Sequence, residues 1–122
     1  MITGEVTPKR AAVIDLQVQN AAADAQTIRA VVDTGFTETL TIPPNVAASL
    51  SLLRVNRMPM FLAGDVQAEF DIYGAYVYWD GSLRRILFFE ADGDPLVGMS
   101  LLRGFRLCLD AIDGGPVTID KL

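Results

Sequence analysis

Residues 53–91 constrain the fold of this chain more than any other segment, because almost the whole stretch has the composition of β-strand. It is interrupted at Ala63-Gly64-Asp65 and at Asp80-Gly81. An Asp-Gly pair between two strand-like runs is a strong signal for a two-residue hairpin, since both central residues of a type I′ turn need positive φ. The segment therefore predicts two long hairpins, one of which turns at Asp80-Gly81.

The rest of the chain consists of short strand-like segments separated by glycine and proline. Residues 45–52 give the one short helical pattern of the first half, with Val46, Leu50 and Leu53 on one face. The other predicted elements are strands at 11–19, 27–32, 37–42, 105–112 and 117–119 and a helical turn at 99–102. A βαβ fold would need helices between its strands, so the pattern favours an all-β barrel or sandwich. At 122 residues, we expect one domain spanning 1–122.

The composition excludes several classes of function. The chain has no histidine, which removes Ser-His-Asp and Cys-His hydrolysis and most catalytic zinc sites. Acidic residues outnumber lysine and arginine by 15 to 10, and the basic residues are scattered along the chain. We therefore expect neither nucleic acid nor an anionic membrane as a partner. Carboxylates remain as the candidate catalytic groups.

Several features predict a soluble, cytoplasmic protein. The N-terminal residues lack the basic segment and apolar run of a signal peptide, and no run approaches the roughly 20 apolar residues of a membrane helix. The single Cys108 cannot form an intramolecular disulfide, which suits a reducing compartment. With no histidine in the chain, we interpret Cys108 as a packing residue on a strand rather than a nucleophile.

Asp33-Thr34-Gly35 directly follows the short apolar strand predicted at residues 27–32. In that position the carboxylate can point out of the sheet, the threonine hydroxyl can form a local hydrogen bond, and the glycine lets the backbone turn without a Cβ clash. These are also ordinary turn residues, and chance supplies such a triplet in about one chain in twenty of this length. A surface turn more often follows an alternating strand than an apolar one, so the position favours a functional loop.

The stretch from Val31 to Ile42 resembles the catalytic loop of the retropepsin-like (clan AA) aspartic proteases, particularly their small bacterial and cyanobacterial members. The second hallmark of that family is two apolar residues and a glycine leading into a short helix, which Leu96-Val97-Gly98 matches. Ala63-Gly64 lies where the family places the tip of a mobile flap hairpin. The resemblance covers roughly residues 11–119 and implies an all-β, single-lobe retropepsin-like barrel with one or two short helices.

By this resemblance the protein is an aspartic endopeptidase that acts on peptide or protein substrates as a homodimer, without a metal ion or other cofactor. Asp33 supplies one catalytic carboxylate, and since the sequence holds no second Asp-Thr/Ser-Gly, the other comes from a second copy. Thr34 would buttress the paired loops, and Gly35 would permit their close approach. The substrate-binding residues that the resemblance implies are Ala63, Gly64, Leu96, Val97 and Gly98. By analogy, segments 1–6 and 116–122 interleave as an intersubunit sheet.

Two residues depart from the family's pattern and leave a second function open. Phe36 is bulky where the family usually has a small residue, and Ser100 stands where many members carry Asp or Asn. The alternative is a catalytically inactive dimeric module of the same fold that binds peptides or mediates assembly.

Overall fold

The computed structural model of the chain describes residues 1–62 and 66–122. These residues form ten strands and two short helices, which confirms the predicted all-β class. In chain order the elements are β1 (Ile2–Val6), β2 (Ala12–Gln19), β3 (Ala25–Val32), β4 (Leu40–Ile42), α1 (Pro44–Ser49), β5 (Arg54–Leu62), β6 (Val66–Trp79), β7 (Ser82–Glu90), β8 (Leu96–Val97), α2 (Met99–Leu102), β9 (Phe105–Leu109) and β10 (Pro116–Lys121).

The strands form one continuous sheet in the order β5-β6-β7-β4-β8-β3-β2-β1-β10-β9. An additional pairing of β6 with β2 matches Val18 with Val77 and Gln19 with Tyr76. This contact joins two strands that lie far apart in the sheet order, so the sheet curls back onto itself. Most pairs are antiparallel, but β3 pairs with β8, and β4 with β7, in parallel.

The hairpin predicted at Asp80-Gly81 is confirmed. β6 and β7 pair from Ile72 with Phe89 to Trp79 with Ser82, which leaves a two-residue connection. Asp80 has φ of 52° and Gly81 has φ of 80°, as a type I′ turn requires. The second predicted hairpin is formed by β5 and β6. Its tip, Ala63-Gly64-Asp65, lies outside the described residues.

The hydrophobic core contains residues from both ends of the chain. Alternate residues of β2 are buried, and the same cluster contains buried side chains from near the start, the middle and the end of the chain. Its fully buried members with the largest side chains are Trp79, Phe88, Ile14, Leu40, Ile42, Leu101 and Ile119. Burial of this apolar surface is the main driving force for folding, and it fixes the sheet on which the loops are mounted.

Several predicted boundaries differ from the structure. The helix at 45–52 is shorter, ending at Ser49, and Leu53 is 82% exposed instead of packing on its apolar face. The strand predicted at 37–42 is reduced to Leu40–Ile42, because the preceding residues form a loop that hydrogen-bonds to the start of α2. β9 ends at Leu109 rather than at residue 112, and β10 extends to Lys121. Cys108 is exposed rather than packed.

The two terminal strands pair within the chain. β1 pairs with β2 on one side and with β10 on the other, while β10 also pairs with β9. Both edges of β1 and both edges of β10 are therefore occupied within the chain, so the expected interleaving of segments 1–6 and 116–122 with a second copy would require some of these pairs to separate. Within the described ranges, neither helix has the length and apolar character needed to cross a bilayer.

Candidate active site

Asp33 lies at the point where β3 ends, as the sequence predicts. The last residues of β3 run parallel to β8, with Val31 opposite Leu96 and Val32 opposite Val97. The Asp33 N–H continues this ladder by donating to the Val97 carbonyl oxygen at 2.9 Å. The backbone of the candidate catalytic residue is therefore fixed to the second sequence motif and not only to its own strand.

The Asp33-Thr34-Gly35 segment forms a tight turn that orients the carboxylate. The Gly35 N–H donates to Asp33 Oδ1 at 2.9 Å, and the Phe36 N–H donates to the Asp33 carbonyl oxygen at 3.1 Å. Asp33 is half-buried, while Thr34 and Gly35 are exposed. One carboxylate oxygen is thus held by a backbone donor, in an arrangement that leaves the turn accessible to a ligand or to a second molecule.

The loop after the turn wraps around β8. Leu40 of β4 pairs antiparallel with Val97, so that β8 lies between β3 and β4. The Gly98 N–H donates to the Thr39 carbonyl oxygen at 2.9 Å, and the Met99 N–H donates to the Phe36 carbonyl oxygen at 2.8 Å. These bonds bring the two sequence motifs together in one framework.

The buried hydroxyl of Thr41 supports the same framework. It accepts a hydrogen bond from the Leu96 N–H at 2.8 Å, and only 6% of Thr41 is exposed. Buried backbone N–H groups need a partner. Thr41 supplies one to β8 from the neighbouring strand, a role that sequence reasoning missed because Thr41 reads as an ordinary strand residue.

Gly98 is required by close packing. A Cβ atom at this position would lie 2.1 Å from the Glu38 carbonyl oxygen and 2.6 Å from the Phe36 ring. Neither distance is tolerable for a carbon atom, and the first involves backbone that cannot easily move. The glycine of the second motif therefore lets the loop that follows Asp33 cross directly over the start of α2.

The two departures from the family's pattern take part in this packing. The Phe36 ring is half-buried and lies edge-to-face with Phe89, at 6.3 Å between ring centroids. The Ser100 hydroxyl donates to the Thr37 carbonyl oxygen, and its N–H donates to the Glu38 carbonyl oxygen at 3.2 Å. Both residues stabilise the loop that follows Asp33.

The residues expected to bind substrate fall into three groups. Leu96 is half-buried, whereas Val97 and Gly98 are buried and serve as framework. Ala63 and Gly64 lie outside the described residues.

A cleft of about 720 Å³ lies beside the odd-numbered face of β3, two residues before Asp33. Its lining includes Glu5, Lys9, Val13, Arg29, Val31 and Asp94. Arg29 and Glu5 form an ion pair at 2.6 Å between Nη2 and Oε1, with both side chains largely exposed. Sequence reasoning missed this cleft, because its walls come from three segments that become neighbours only on folding.

Comparison with known proteins identifies the architecture. No protein-family model and no curated protein matches the sequence. Among solved structures, a retropepsin-like aspartic protease from Rickettsia conorii is similar with a TM-score of 0.63 and 16% identity, covering 99% of this chain and 90% of that one. The protease of EIAV, solved in complex with the inhibitor HBY-793, gives a TM-score of 0.60 and 13% identity, covering 79% of this chain and 88% of that one. The chain has the retropepsin-like fold.

Proposed function

We propose that this protein of retropepsin-like fold is an aspartic endopeptidase, active as a homodimer in which residues 1–122 form one domain of each copy. The observation that carries the proposal is the position of Asp33. Its N–H is bonded to Val97, and its carboxylate accepts the Gly35 N–H in an accessible turn. With no histidine in the chain, a carboxylate pair is the acid/base chemistry that such a turn can supply.

The mechanism requires two Asp33 side chains, one from each copy. Two carboxylates a few ångströms apart cannot both ionise cheaply, so the pair holds one proton. The ionised carboxylate takes a proton from water as the water oxygen bonds to the peptide carbonyl carbon, and the protonated one donates to the carbonyl oxygen. The tetrahedral intermediate then collapses as the C–N bond breaks, the amine nitrogen gains a proton, and a carboxylic acid is released.

The neighbouring residues have supporting roles in this proposal. Thr34 is exposed beside Asp33 and would hydrogen-bond across the two-fold axis, while the absence of a side chain at Gly35 lets the two turns approach. The half-buried Leu96 would contact the substrate, as would Ala63 and Gly64, which the family resemblance assigns to a flap. Val97 and Gly98 would act indirectly, by holding the turn in place. An extended peptide would be bound by main-chain hydrogen bonds, with side-chain pockets setting preference.

The alternative is a catalytically inactive dimeric module that binds peptides or mediates assembly. Phe36 is the main argument for this alternative, because a bulky residue after the triplet can reshape the cleft. The ring instead lies against Phe89 and covers Gly98. Phe36 is therefore compatible with an active turn, and we favour the peptidase.

The test is replacement of Asp33 with Asn, which keeps the shape of the side chain and removes its charge. Cleavage of a peptide library at mildly acidic pH should fall by about a thousandfold or more, since the general acid and base are lost. The matched control is Asp113→Asn, an exposed acid beside a glycine on another turn, which should keep full activity. Unchanged cleavage by Asp33→Asn would refute the assignment.

Two further measurements separate the peptidase from the inactive module. Activity per chain should fall on dilution as the dimer dissociates, because neither copy holds a complete site. The rate should also decline at both low and high pH, since both forms of the Asp33 pair are needed. A dimer that binds peptides, cleaves none and shows no binding of a statine-type transition-state mimic would support the module instead.

The proposed location is the cytoplasm. Cys108 is an exposed free thiol, and reducing compartments preserve such groups. We propose that the protein acts without nucleic acid, membrane or cofactor as a partner.

A further inference from the structure

One face of the hairpin formed by β6 and β7 exposes apolar side chains to solvent. Tyr78 lies opposite Leu83, and Gly74 lies opposite Leu87. Between 41% and 44% of each of Tyr78, Leu83 and Leu87 is exposed. The residues of β6 that alternate with these, and so point to its other face, are buried in the core. The hairpin therefore has one face in the core and one apolar face in contact with water.

Val55 of β5 extends this face. Its Cγ1 atom lies 3.7 Å from the position that a Cβ atom of Gly74 would occupy, and Val55 is 54% exposed. We call this group the outer surface, and it consists of Val55, Gly74, Tyr78, Leu83, Arg85 and Leu87. Single apolar residues scattered over a protein surface are normal, whereas a contiguous group of them marks an interaction site.

Arg85 supplies the one charge of the outer surface. It is exposed, and its Nη2 atom lies 2.8 Å from the Cβ position of Gly74, so the guanidinium group lies across the glycine. Among residues 1–62 and 66–122, no carboxylate forms an ion pair with Arg85. The outer surface therefore presents a cation, surrounded by apolar side chains, on a chain whose net charge is −5.

A cavity of about 380 Å³ adjoins the outer surface at Gly74. Its walls also include Ala21, Ala22, Leu52 and Leu53, so much of its lining is apolar. Leu53 is 82% exposed, and the cavity is open to solvent at that residue. An apolar side chain of a ligand can therefore enter the cavity next to the guanidinium group of Arg85.

The side chain of Asn20 fixes the walls of this cavity. Asn20 Nδ2 donates to the Leu50 carbonyl oxygen at 2.9 Å and to Asp24 Oδ2 at 3.1 Å. Asn20 Oδ1 accepts hydrogen bonds from the N–H groups of Ala22 and Asp24, both at 3.0 Å. These bonds connect the turn between β2 and β3 to the end of α1. Because the cavity is formed before a ligand arrives, little binding free energy is lost to ordering of the protein.

We propose that the outer surface binds an acidic, apolar segment of another protein, with an apolar side chain in the cavity and a nearby carboxylate on Arg85. An arginine can bind a carboxylate through two parallel hydrogen bonds, and arginine and tyrosine are enriched among the residues that dominate interface energies. Val55 and Leu87 would exclude water from the ion pair. No residue of this surface belongs to the Asp33 turn, β8 or α2, so the inference goes beyond the proposed peptidase.

The charge of the outer surface argues against a second copy of this chain as the ligand. A two-fold interface centred on this surface would place Arg85 against Arg85 of the partner subunit. Like charges that meet in an interface are unfavourable, and the outer surface holds no acid to neutralise them. The acid in the cavity wall, Asp24, is already bonded to Asn20. A segment that carries its own carboxylate complements the surface instead.

A charge reversal tests the proposal. The probe is a peptide array in which one leucine and either one aspartate or one lysine are separated by zero to three residues in an otherwise uncharged sequence. The Asp33→Asn protein, in which the proposed cleavage is abolished, should bind the best aspartate peptide about tenfold more tightly than its lysine counterpart, as fluorescence anisotropy measures. When Arg85→Glu is added, the order should be reversed.

The matched control is Arg103→Glu in the same Asp33→Asn protein. Arg103 is exposed at the end of α2, outside the outer surface, and its replacement changes the net charge by the same amount. This variant should keep the preference for aspartate, and far-UV circular dichroism checks that each variant stays folded. A preference that both arginine variants lose equally would reflect overall charge and would overturn the proposal.

A second pair of variants tests the cavity. Ala22→Trp fills it from an exposed position, so the tighter binding of leucine peptides over matched alanine peptides should disappear. Ala25→Trp, at an exposed position outside the cavity lining, should leave that difference unchanged. A leucine preference that persists in Ala22→Trp would contradict the assignment of the cavity.

The remaining outcomes separate this surface from the peptidase and from self-association. An array without any preference for aspartate at any spacing would overturn the proposal, as would a change of oligomeric state in Arg85→Glu on size-exclusion chromatography. Aspartate-dependent binding without peptide cleavage by the native protein would support the surface and reject the peptidase. Cleavage by the native protein without that binding preference would keep the peptidase and reject the surface.

Discussion

The segment from Asp33 to Leu40 and the hairpin of β5 and β6 are held by different kinds of contact. The first is anchored by backbone hydrogen bonds to β8 and α2, which lie some sixty residues further along the chain. The outer part of the hairpin, residues 54–60 and 66–71, is held by the β5–β6 ladder alone, and its side chains are mostly exposed, including Val55, Met58 and Val66. Its ion pairs, such as Arg57 with Glu69, also lie at the surface.

The difference matches what each region has to do in the proposed peptidase. Displacement of a catalytic group by about 1 Å can cost a hundredfold in rate, so the Asp33 turn benefits from buried, non-local support. A hairpin that admits a peptide has to open, and regions with few buried contacts open at the lowest free energy. Substitutions in the first region should therefore lower the free energy of unfolding strongly, whereas substitutions of exposed charges in the hairpin should change it little.

Gly98→Ala should have the largest effect. The added Cβ would meet the Glu38 carbonyl at 2.1 Å, so the loop and α2 would have to separate. We expect a loss of about 3 kcal/mol in unfolding free energy, or roughly 10 °C in Tm, measured by urea and thermal denaturation. Gly74→Ala in β6 is the control: its Cβ would meet the end of the flexible Arg85 side chain at 2.8 Å. Equal losses of unfolding free energy in the two variants would contradict the proposed difference between the Asp33 segment and the hairpin.

Thr41→Val should have the next largest effect. The change keeps the shape of the side chain but leaves the part-buried Leu96 N–H without its acceptor, which costs about 2 kcal/mol. The effect is measured as a shift of the urea midpoint, with peptide cleavage assayed in parallel. Thr27→Val, at an exposed position of β3, should stay within about 0.5 kcal/mol of the native protein. A neutral Thr41→Val would mean that water or another group satisfies the Leu96 N–H.

The sequence predicts the local features of the site better than the non-local ones. Asp33 at a strand end and the Asp80-Gly81 turn depend on neighbouring residues, and both predictions are confirmed. The contact of Gly98 with Glu38 joins distant segments, and no periodicity encodes it. The family resemblance includes Val97 among the substrate-binding residues, yet Val97 is fully buried, because β8 lies between two strands.

The edges of the sheet and the ends of its elements are also difficult to predict from the sequence. Cysteine is commonly a buried residue type, so the sequence suggests that Cys108 is packed, but it lies on the exposed face of β9, opposite to Phe105 and Leu107. Leu53 follows the helical pattern that starts at Val46, but the helix ends before reaching it. Which strand lies at an edge depends on the pairing of the whole sheet, and this pairing emerges only on folding.

Tyr73→Phe probes the junction between the two regions. Tyr73 lies on β6 between Arg54 of β5 and Phe88 of β7, and its hydroxyl donates to Glu90 Oε1 at 3.0 Å. Burial, and then the hydrogen bond to Glu90, raise the pKa of Tyr73 above its ordinary value of 10.0. Removal of the hydroxyl should cost about 1 kcal/mol near neutral pH.

The pH dependence of this cost has a definite sign. Because the pKa of Tyr73 is higher in the folded chain than in the unfolded one, its stabilising contribution is complete below pH 10 and is lost as the pH rises through the raised value. The stability difference between the native protein and Tyr73→Phe should therefore narrow above about pH 10, as urea denaturation at several pH values would measure. Tyr78→Phe, on the same strand but 41% exposed, is the control. A difference that stays constant with pH would contradict the prediction.

The smallest effect is expected for the ion pair of Arg57 and Glu69 in the hairpin. The two charged groups are 3.0 Å apart, but the side chains are 56% and 61% exposed, so water screens their attraction. A double-mutant cycle with Arg57→Ala and Glu69→Ala should give a coupling of about 0.5 kcal/mol or less, which decreases further at high salt. A coupling well above 1 kcal/mol that resists salt would mean that the hairpin is as tightly fixed as the Asp33 turn. In that case the proposed opening for substrate would have to take place elsewhere in the molecule.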